Sequence, residues 1–453
     1  MTQMKSILRR KKRLTSFQVI TIGFLSVILA GSILLMLPVS SKSGHATSFL
    51  DALFTATSAT CVTGLVVHDT ATYWSGFGQL IILLLIQTGG MGVVTIAVAL
   101  TAISGRKIGL MQRSTMQEAI AAPSVGGVVK LTGFIFRSTL LIELTGALLM
   151  LPVFWKECDG LQGIWYAIFH SISAFCNAGF DLMGNREPFS SLTGYVANGW
   201  INMIIMGLII IGGIGFLTWE DVRYKGIHFR KYRMQSKVIL VMTAVLIIFP
   251  FFLFYFGEFG RTVWNDLSKG EKIWGALFQT VTPRTAGFNT VDLTLFTEAG
   301  KTVMILLMLI GGSPGSTAGG MKTTTAAVLF MTLFAVFRKK EDTECFGRRI
   351  EEGTVKYAAT VLLMYLTFFL TGGIIISYVE QLPMLTCLFE TASAIGTVGL
   401  TLGITPHLGI LSRLILILLM FLGRVGGLTL VFAALSNKQR NVSRLPKERI
   451  TVG

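Results

Sequence analysis

One short pattern occurs four times along this chain, and it limits the fold more than any other feature. It reads Phe54, Ser58, Ala59, Gly64-Leu65 in the first copy and Phe169, Ser173, Ala174, Gly179-Phe180 in the second. The third is Phe278, Thr282, Pro283, Gly287-Phe288, and the fourth is Phe389, Ser393, Ala394, Gly399-Leu400. The glycines lie 115, 108 and 112 residues apart, a period too long for a solenoid. The third copy is one residue shorter and carries Pro283 where the others have alanine, so a locally different helix end is expected there.

Each copy lies between long apolar segments, which run approximately over 17–39, 75–103, 128–154, 196–219, 236–256, 300–337, 355–379 and 408–435. About 20 apolar residues cross a bilayer as a helix. Of the 453 residues 52% are hydrophobic and 14% are charged, whereas a soluble domain has about a quarter charged. A soluble enzyme, a disordered chain and a fibrous repeat are therefore excluded. The expected fold is an all-α polytopic membrane protein. Its eight transmembrane helices form four helix–pore loop–helix repeats around a pseudo-fourfold pore. The repeats fall at 17–103, 104–219, 220–337 (with a broken second helix) and 338–435, between a basic tail 1–16 and a C-terminal tail 436–453.

The net charge of +16 is placed unevenly. Of the 39 lysines and arginines, 27 fall in 1–16, 104–130, 220–237, 338–356 and 436–453. Only eight fall in 38–74, 155–195, 257–302 and 380–407, and Arg137, Lys322, Arg413 and Arg424 lie within predicted spans. Basic residues stay cytoplasmic, so both termini are expected in the cytoplasm and the four patterned stretches outside. The excess charge then reports topology, and no nucleic-acid partner is implied. Arg9–Arg13 before the apolar run reads as a cytoplasmic flank, since the run is too long for a signal peptide. Cys61, Cys158, Cys176, Cys345 and Cys387 have no CxxC spacing, and the five histidines form no HExxH pair; neither a disulfide framework nor a metalloprotease is supported.

The patterned stretches offer about ten helix-compatible residues and then a Gly-centred extended segment. That is too short to span, and irregular backbone at membrane depth must be buried in protein or line a wet cavity. Four such segments meet this requirement by converging on one axis. Short helices aimed inward put their partially negative C-termini there, and backbone carbonyls can replace a cation's hydration shell. The candidate ion-binding residues are Val62-Thr63-Gly64, Asn177-Ala178-Gly179, Thr285-Ala286-Gly287 and Thr397-Val398-Gly399. Close helix packing through small residues is the plainer reading of any single copy, but it does not explain four copies on one predicted side.

The second helices carry glycines inside the membrane: Gly89-Gly90, Gly212-Gly213, Gly311-Gly312 and Gly423 with Gly426-Gly427. In the third, Pro314 and the five glycines of the stretch from Gly311 to Gly320 interrupt an apolar run and should break the helix. This predicts a flexible intramembrane loop, with Gly311, Gly312, Gly315, Gly319 and Gly320 as gating candidates. Arg424 lies inside an apolar helix, where an unpaired charge costs several kcal/mol. It reads either as one half of an ion pair, with Glu143 as partner, or as a positive barrier below the cation path. Lys322 is a second such candidate.

These residues resemble the Trk/Ktr/HKT superfamily of potassium transporters, over essentially the whole chain. The resemblance implies four membrane–pore loop–membrane repeats, one selectivity-filter glycine per loop matched by Gly64, Gly179, Gly287 and Gly399, and potassium preference from glycine at position 64. It implies that the Gly311–Gly320 loop and Arg424 gate the pore. The start of the first repeat at Phe17 and the lack of a GxGxxG or Walker A motif look like the Ktr type. That type implies a homodimer in membrane lipid, docked on a cytosolic, KtrA-like ring of nucleotide-binding regulatory subunits. K+ is then the transported ion, Na+ activation is a family trait with no readable site here, and no organic cofactor is expected. The expected location is the cell membrane. The competing class is a secondary transporter of a small organic solute or anion, which also uses broken helices but shows two repeats rather than four. An intramembrane enzyme lacks a catalytic pair.

Overall fold

The computed structural model describes residues 15–103, 108–120, 126–158 and 160–426. The N-terminal basic tail as far as residue 14, parts of the 104–127 connection, Gly427, the end of the eighth apolar segment and the tail 436–453 lie outside the described residues.

Four similar units follow one another. The first contains α1 (Ser16–Met36), α2 (Phe49–Thr60), α3 (Gly76–Met91) and α4 (Val93–Ile103). A short helix, α5 (Leu110–Ala119), leads to the second: α6 (Val128–Glu157), α7 (Gly160–Phe175), α8 (Gly199–Gly213) and α9 (Phe216–Lys225). The third has α10 (Met234–Phe252), α11 (Lys269–Val281), α12 (Glu298–Leu309) and α13 (Thr323–Phe337). The fourth has α14 (Glu352–Glu380), α15 (Met384–Gly396) and α16 (Ile410–Val425). Between the last two units a hairpin pairs Glu344–Cys345 with Arg348–Arg349.

The first helix of every unit is long enough to cross a membrane: 21, 30 and 29 residues for α1, α6 and α14, and 25 for α10 with its π-helical extension to Glu258. The second helices are not straight spans. α3 and α4 meet at 94° and α8 and α9 at 98°. By length and composition the described residues hold four spans, or six with each bent pair counted once. Among the described residues four of the apolar segments are thus long continuous helices and three are broken, while the last is described as far as Gly426.

The breaks have one cause. In Gly89-Gly90-Met91-Gly92, Gly212-Gly213-Ile214-Gly215 and Gly423-Arg424-Val425-Gly426 the last glycine takes φ of 85°, 91° and 87°. A Cβ disfavours that region, so the chain turns at this residue. The first glycine serves packing instead. An added Cβ at Gly89, Gly212 or Gly423 would lie 1.9, 2.0 or 2.2 Å from the carbonyl oxygen of Thr60, Phe175 or Ile395. Each of these helices therefore lies against the C-terminal end of its own unit's short helix, backbone on backbone.

The short helices α2, α7, α11 and α15 are capped where the sequence provides for it. Ser48 accepts from the Asp51 N–H, and Ser268 forms a reciprocal box with Glu271. Phe54, Phe169, Phe278 and Phe389 are fully buried and anchor them; truncating such a side chain costs about 3–5 kcal/mol. Around the axis α3 packs on α7, α8 on α11, α12 on α15, and α16 on α2. Each second helix thus braces the short helix of the following unit, and the fourth closes on the first. On the outside, Leu141, Leu144 and Leu148 of α6 and Ile248, Phe249 and Phe252 of α10 are exposed. An apolar exterior of this kind suits lipid rather than water.

Candidate functional site

The four patterned loops share one conformation. The motif Ser or Thr clamps each: the N–H groups of Thr63, Ala178, Ala286 and Val398 bond the carbonyls of Ser58, Ser173, Thr282 and Ser393 at 2.8–2.9 Å. Their hydroxyls close the turn, Ser58 and Ser393 accepting from the Gly64 and Gly399 N–H at 3.1 and 2.9 Å. Ser173 and Thr282 instead donate to the carbonyls of Phe180 and Phe288 at 2.7 and 2.5 Å. The missing residue of the third copy shows as an i to i+4 bond from Ala286 N–H to Thr282, where the others are i to i+5.

Within each loop two residues are left-handed. The glycines have φ of 95°, 68°, 79° and 94°, and Val62, Asn177, Thr285 and Thr397, two positions earlier, have 57°, 59°, 65° and 50°. Three of those four are β-branched, for which this region is strained by about 1–3 kcal/mol. Such strain persists only where the surroundings over-determine the backbone, as the clamp does.

The loops meet in a closed ring. A Cβ at Gly64 would lie 2.5 Å from the Ala178 carbonyl oxygen, and one at Gly179 would lie 2.7 Å from that of Ala286. At Gly287 the neighbour is the Val398 oxygen at 2.4 Å, and at Gly399 it is the Thr63 oxygen at 2.1 Å. All twelve ion-binding candidates stand in this ring, and every one is buried. Two positions beyond Gly179, Asp181 has its carboxyl pushed up to about 7, chiefly by burial and further by the charge of Asp69, against a bond from the Met183 N–H.

α12 ends at Leu309 and α13 begins at Thr323, so the Gly-rich stretch is a loop. It is sewn to its neighbours by backbone. Gly311 N–H bonds the Met321 carbonyl at 2.7 Å, and Ser313 N–H bonds Gly213 at 3.0 Å. Phe216 N–H bonds Gly315 at 2.7 Å, and Gly320 N–H bonds Gly423 at 3.1 Å. Gly312 and Gly319 pair loosely at 3.3 Å, and a Cβ at Gly319 would meet Thr397 Oγ1 at 2.2 Å. The loop thus touches the second and fourth ring segments and the breaks of α8 and α16.

Arg424 takes the place that Gly90 and Gly213 hold in the equivalent turns. Its guanidinium donates to the carbonyls of Thr317 in the loop and of Gly89 and Gly90 at the first break. Glu143 is not its partner: that carboxylate accepts from Gln87 Nε2 at 3.0 Å. Carbonyls, not a counter-ion, satisfy Arg424, so its charge is left uncompensated by any carboxylate among its hydrogen-bond partners. Lys322 Nζ turns back on the loop and donates to the Ala318 carbonyl at 2.9 Å.

Two further arginines have clear partners. Arg413, within the predicted span, lies in the first turn of α16 and pairs with Asp51 at 2.7 Å. Arg284, counted with the external stretches, is buried within the third loop, its Nη2 donating to Thr243 at 3.2 Å. The bending glycines Gly92 and Gly215 were missed; the GGxG spacing shared by the first two units was the available signal.

The family model for TrkH, described as a cation transport protein, matches residues 5–444. The potassium/sodium uptake protein NtpJ of Enterococcus hirae is 40% identical over 460 residues, covering 100% of both chains. The chain belongs to the TrkH family of cation transport proteins. Among other members, Ktr system potassium uptake protein B of Bacillus subtilis is 39% identical over 454 residues, covering 100% of both chains. The protein of that name from Vibrio alginolyticus is 35% identical, covering 96% of this chain and 94% of its own. The crystal structure of the potassium transporter TrkH from Vibrio parahaemolyticus superposes with a TM-score of 0.71 over 93% of this chain and 86% of that one. At 22% identity it shows the shared fold.

Proposed function

We propose that this TrkH-family chain is the potassium-translocating pore subunit of a Ktr-type uptake system. The observation that carries the reading is the closed ring of four left-handed glycines, in which each loop lies backbone to backbone on the next. A ring of carbonyls with no side chains between them suits an ion that must shed water and regain oxygen ligands. K+ is held by residues 62–64, 177–179, 285–287 and 397–399. The loop through Gly311, Gly312, Gly315, Gly319 and Gly320, with Lys322 and Arg424, gates the path below: a guanidinium fixed by carbonyls repels cations when the loop is seated.

The relatives' names support the substrate: two are named for potassium uptake by a Ktr system and one for potassium/sodium uptake. The word system supports a partner, which we take to be a cytosolic nucleotide-binding ring meeting the basic segments 223–237 and 338–349 and the C-terminal tail, which lies outside the described residues. The chain acts as a homodimer in the cell membrane with both termini cytoplasmic, and Na+ acts as an activator. Rb+ uptake into liposomes tests this. Selective Rb+ flux, raised by the ring partner, is the expected result; no Rb+ or K+ flux with or without the partner would reject it.

A further inference from the structure

Asn177 differs from its three counterparts in the ring. Val62, Thr285 and Thr397 carry no amide, whereas the buried side chain of Asn177 joins three separate elements. Its Nδ2 lies 3.3 Å from the Ile209 carbonyl on α8 and 3.4 Å from the Arg284 carbonyl in the third loop. Its Oδ1 accepts from Thr317 Oγ1 at 2.9 Å. The orientation follows from the partners. Two carbonyls can only accept, so the amino group faces them and the oxygen is left for the hydroxyl.

Thr317 is held from several sides as well. Its hydroxyl also lies 3.1 Å from the Phe175 carbonyl, its N–H bonds Gly212 at 3.3 Å, and its carbonyl accepts from Arg424. One residue of the intramembrane loop therefore touches both a ring side chain and the buried arginine.

We infer that the Asn177–Thr317 hydrogen bond couples ion selection to the gate, with Asn177 as a positioning residue for the second filter segment. The inference rests on the reading of 311–320 as a gating loop. When the loop leaves its seat, Thr317 is withdrawn and the buried Asn177 oxygen loses its donor. The left-handed backbone at Asn177, φ 59°, then loses one of the contacts that hold it. The effect spreads because Gly64 lies against the Ala178 carbonyl and Gly179 lies against the Ala286 carbonyl and the Gly287 backbone. The ring therefore discriminates cations best with the loop seated, and less well once it has moved.

The test uses Thr317→Val, which removes the hydroxyl at nearly constant volume from a residue outside the filter. In detergent without any ring partner, so that the loop is seated, the ratio of K+ to Na+ affinity, read from the ion concentrations that half-protect the protein against thermal unfolding, should fall about two- to tenfold, the worth of one buried hydrogen bond. Thr317→Ser should restore it. Thr317→Ala, a second variant should the valine form not fold, should lower it similarly. Combined with Asn177→Leu, Thr317→Val should cause no further loss beyond Asn177→Leu alone, as expected of two halves of one contact. If Thr317→Val and Thr317→Ala change total flux but leave the ratio as in the parent, the coupling is overturned and the gate reading stands. If deleting 313–317 leaves flux unchanged, the gate reading itself fails.

Discussion

Replacing Gly64 with serine would place a Cβ 2.5 Å from the Ala178 carbonyl oxygen and 3.2 Å from Gly179 Cα. Both neighbours are backbone, so no side chain can swing away. The new residue must also hold φ of 95°, which costs about 1–3 kcal/mol for a non-glycine. Overpacking adds about 1–3 kcal/mol. The total, about 2–6 kcal/mol, is relieved by displacing the first and second ring segments against each other. If about 1.4 kcal/mol of it falls on the K+-occupied ring and not on the Na+-occupied one, discrimination drops tenfold. The assay is the ratio of Rb+ to Na+ uptake by purified protein in liposomes, with monodispersity as the check on folding. The contact distances also predict a rank: alanine should disturb the ring most at Gly399 (2.1 Å), then Gly287, Gly64 and finally Gly179 (2.7 Å). Gly44→Ser is the control, since its φ is 72° but nothing lies within 4 Å of an added Cβ. Unchanged selectivity in Gly64→Ser, or an equal loss in Gly44→Ser, would refute the argument that the ring selects the ion.

Three other outcomes follow. Arg424→Ala frees the carbonyls of Thr317, Gly89 and Gly90 and should raise basal Rb+ flux about tenfold or more in the absence of any ring partner; reduced flux would mark the arginine as purely structural. Asp181, with its carboxyl raised to about 7 by burial and Asp69, is negative above that pH and neutral below it. Uptake at low external K+ should therefore fall as external pH drops through about 7, and Asp181→Asn should flatten the profile. The same shift lies above the unfolded value, so its stability contribution is full below about pH 4 and is lost as pH rises through about 7. Asp221 is buried midway along α9, where it accepts from Lys225 at 2.6 Å, Ser236 at 2.7 Å and the Arg233 N–H at 3.0 Å. Asp221→Asn should cost about 1–3 kcal/mol, read as a lower melting temperature in detergent with ion selectivity preserved.

The sequence by itself determined the class of molecule, the order of four units and the residues of each loop. Those are local properties: apolar length sets what can enter a bilayer, and Phe, Ser/Thr and Gly at fixed spacing record a helix anchor, a hydroxyl clamp and a left-handed turn. The glycine-rich break of the third unit was equally legible, because Pro314 and its glycines cannot continue a helix. Tertiary structure decided what a linear reading cannot reach. That Gly399 closes on Thr63, 336 residues earlier in the chain, depends on each second helix bracing the next unit. That Arg424 is satisfied by carbonyls rather than by Glu143 depends on two helix breaks and the intramembrane loop meeting at one point. The Asn177 amide gave no signal in its own copy of the pattern, since its partners come from α8, the third loop and the broken helix. Contacts between units are set by the closure of the whole ring, and only the folded chain brings those groups within hydrogen-bonding distance.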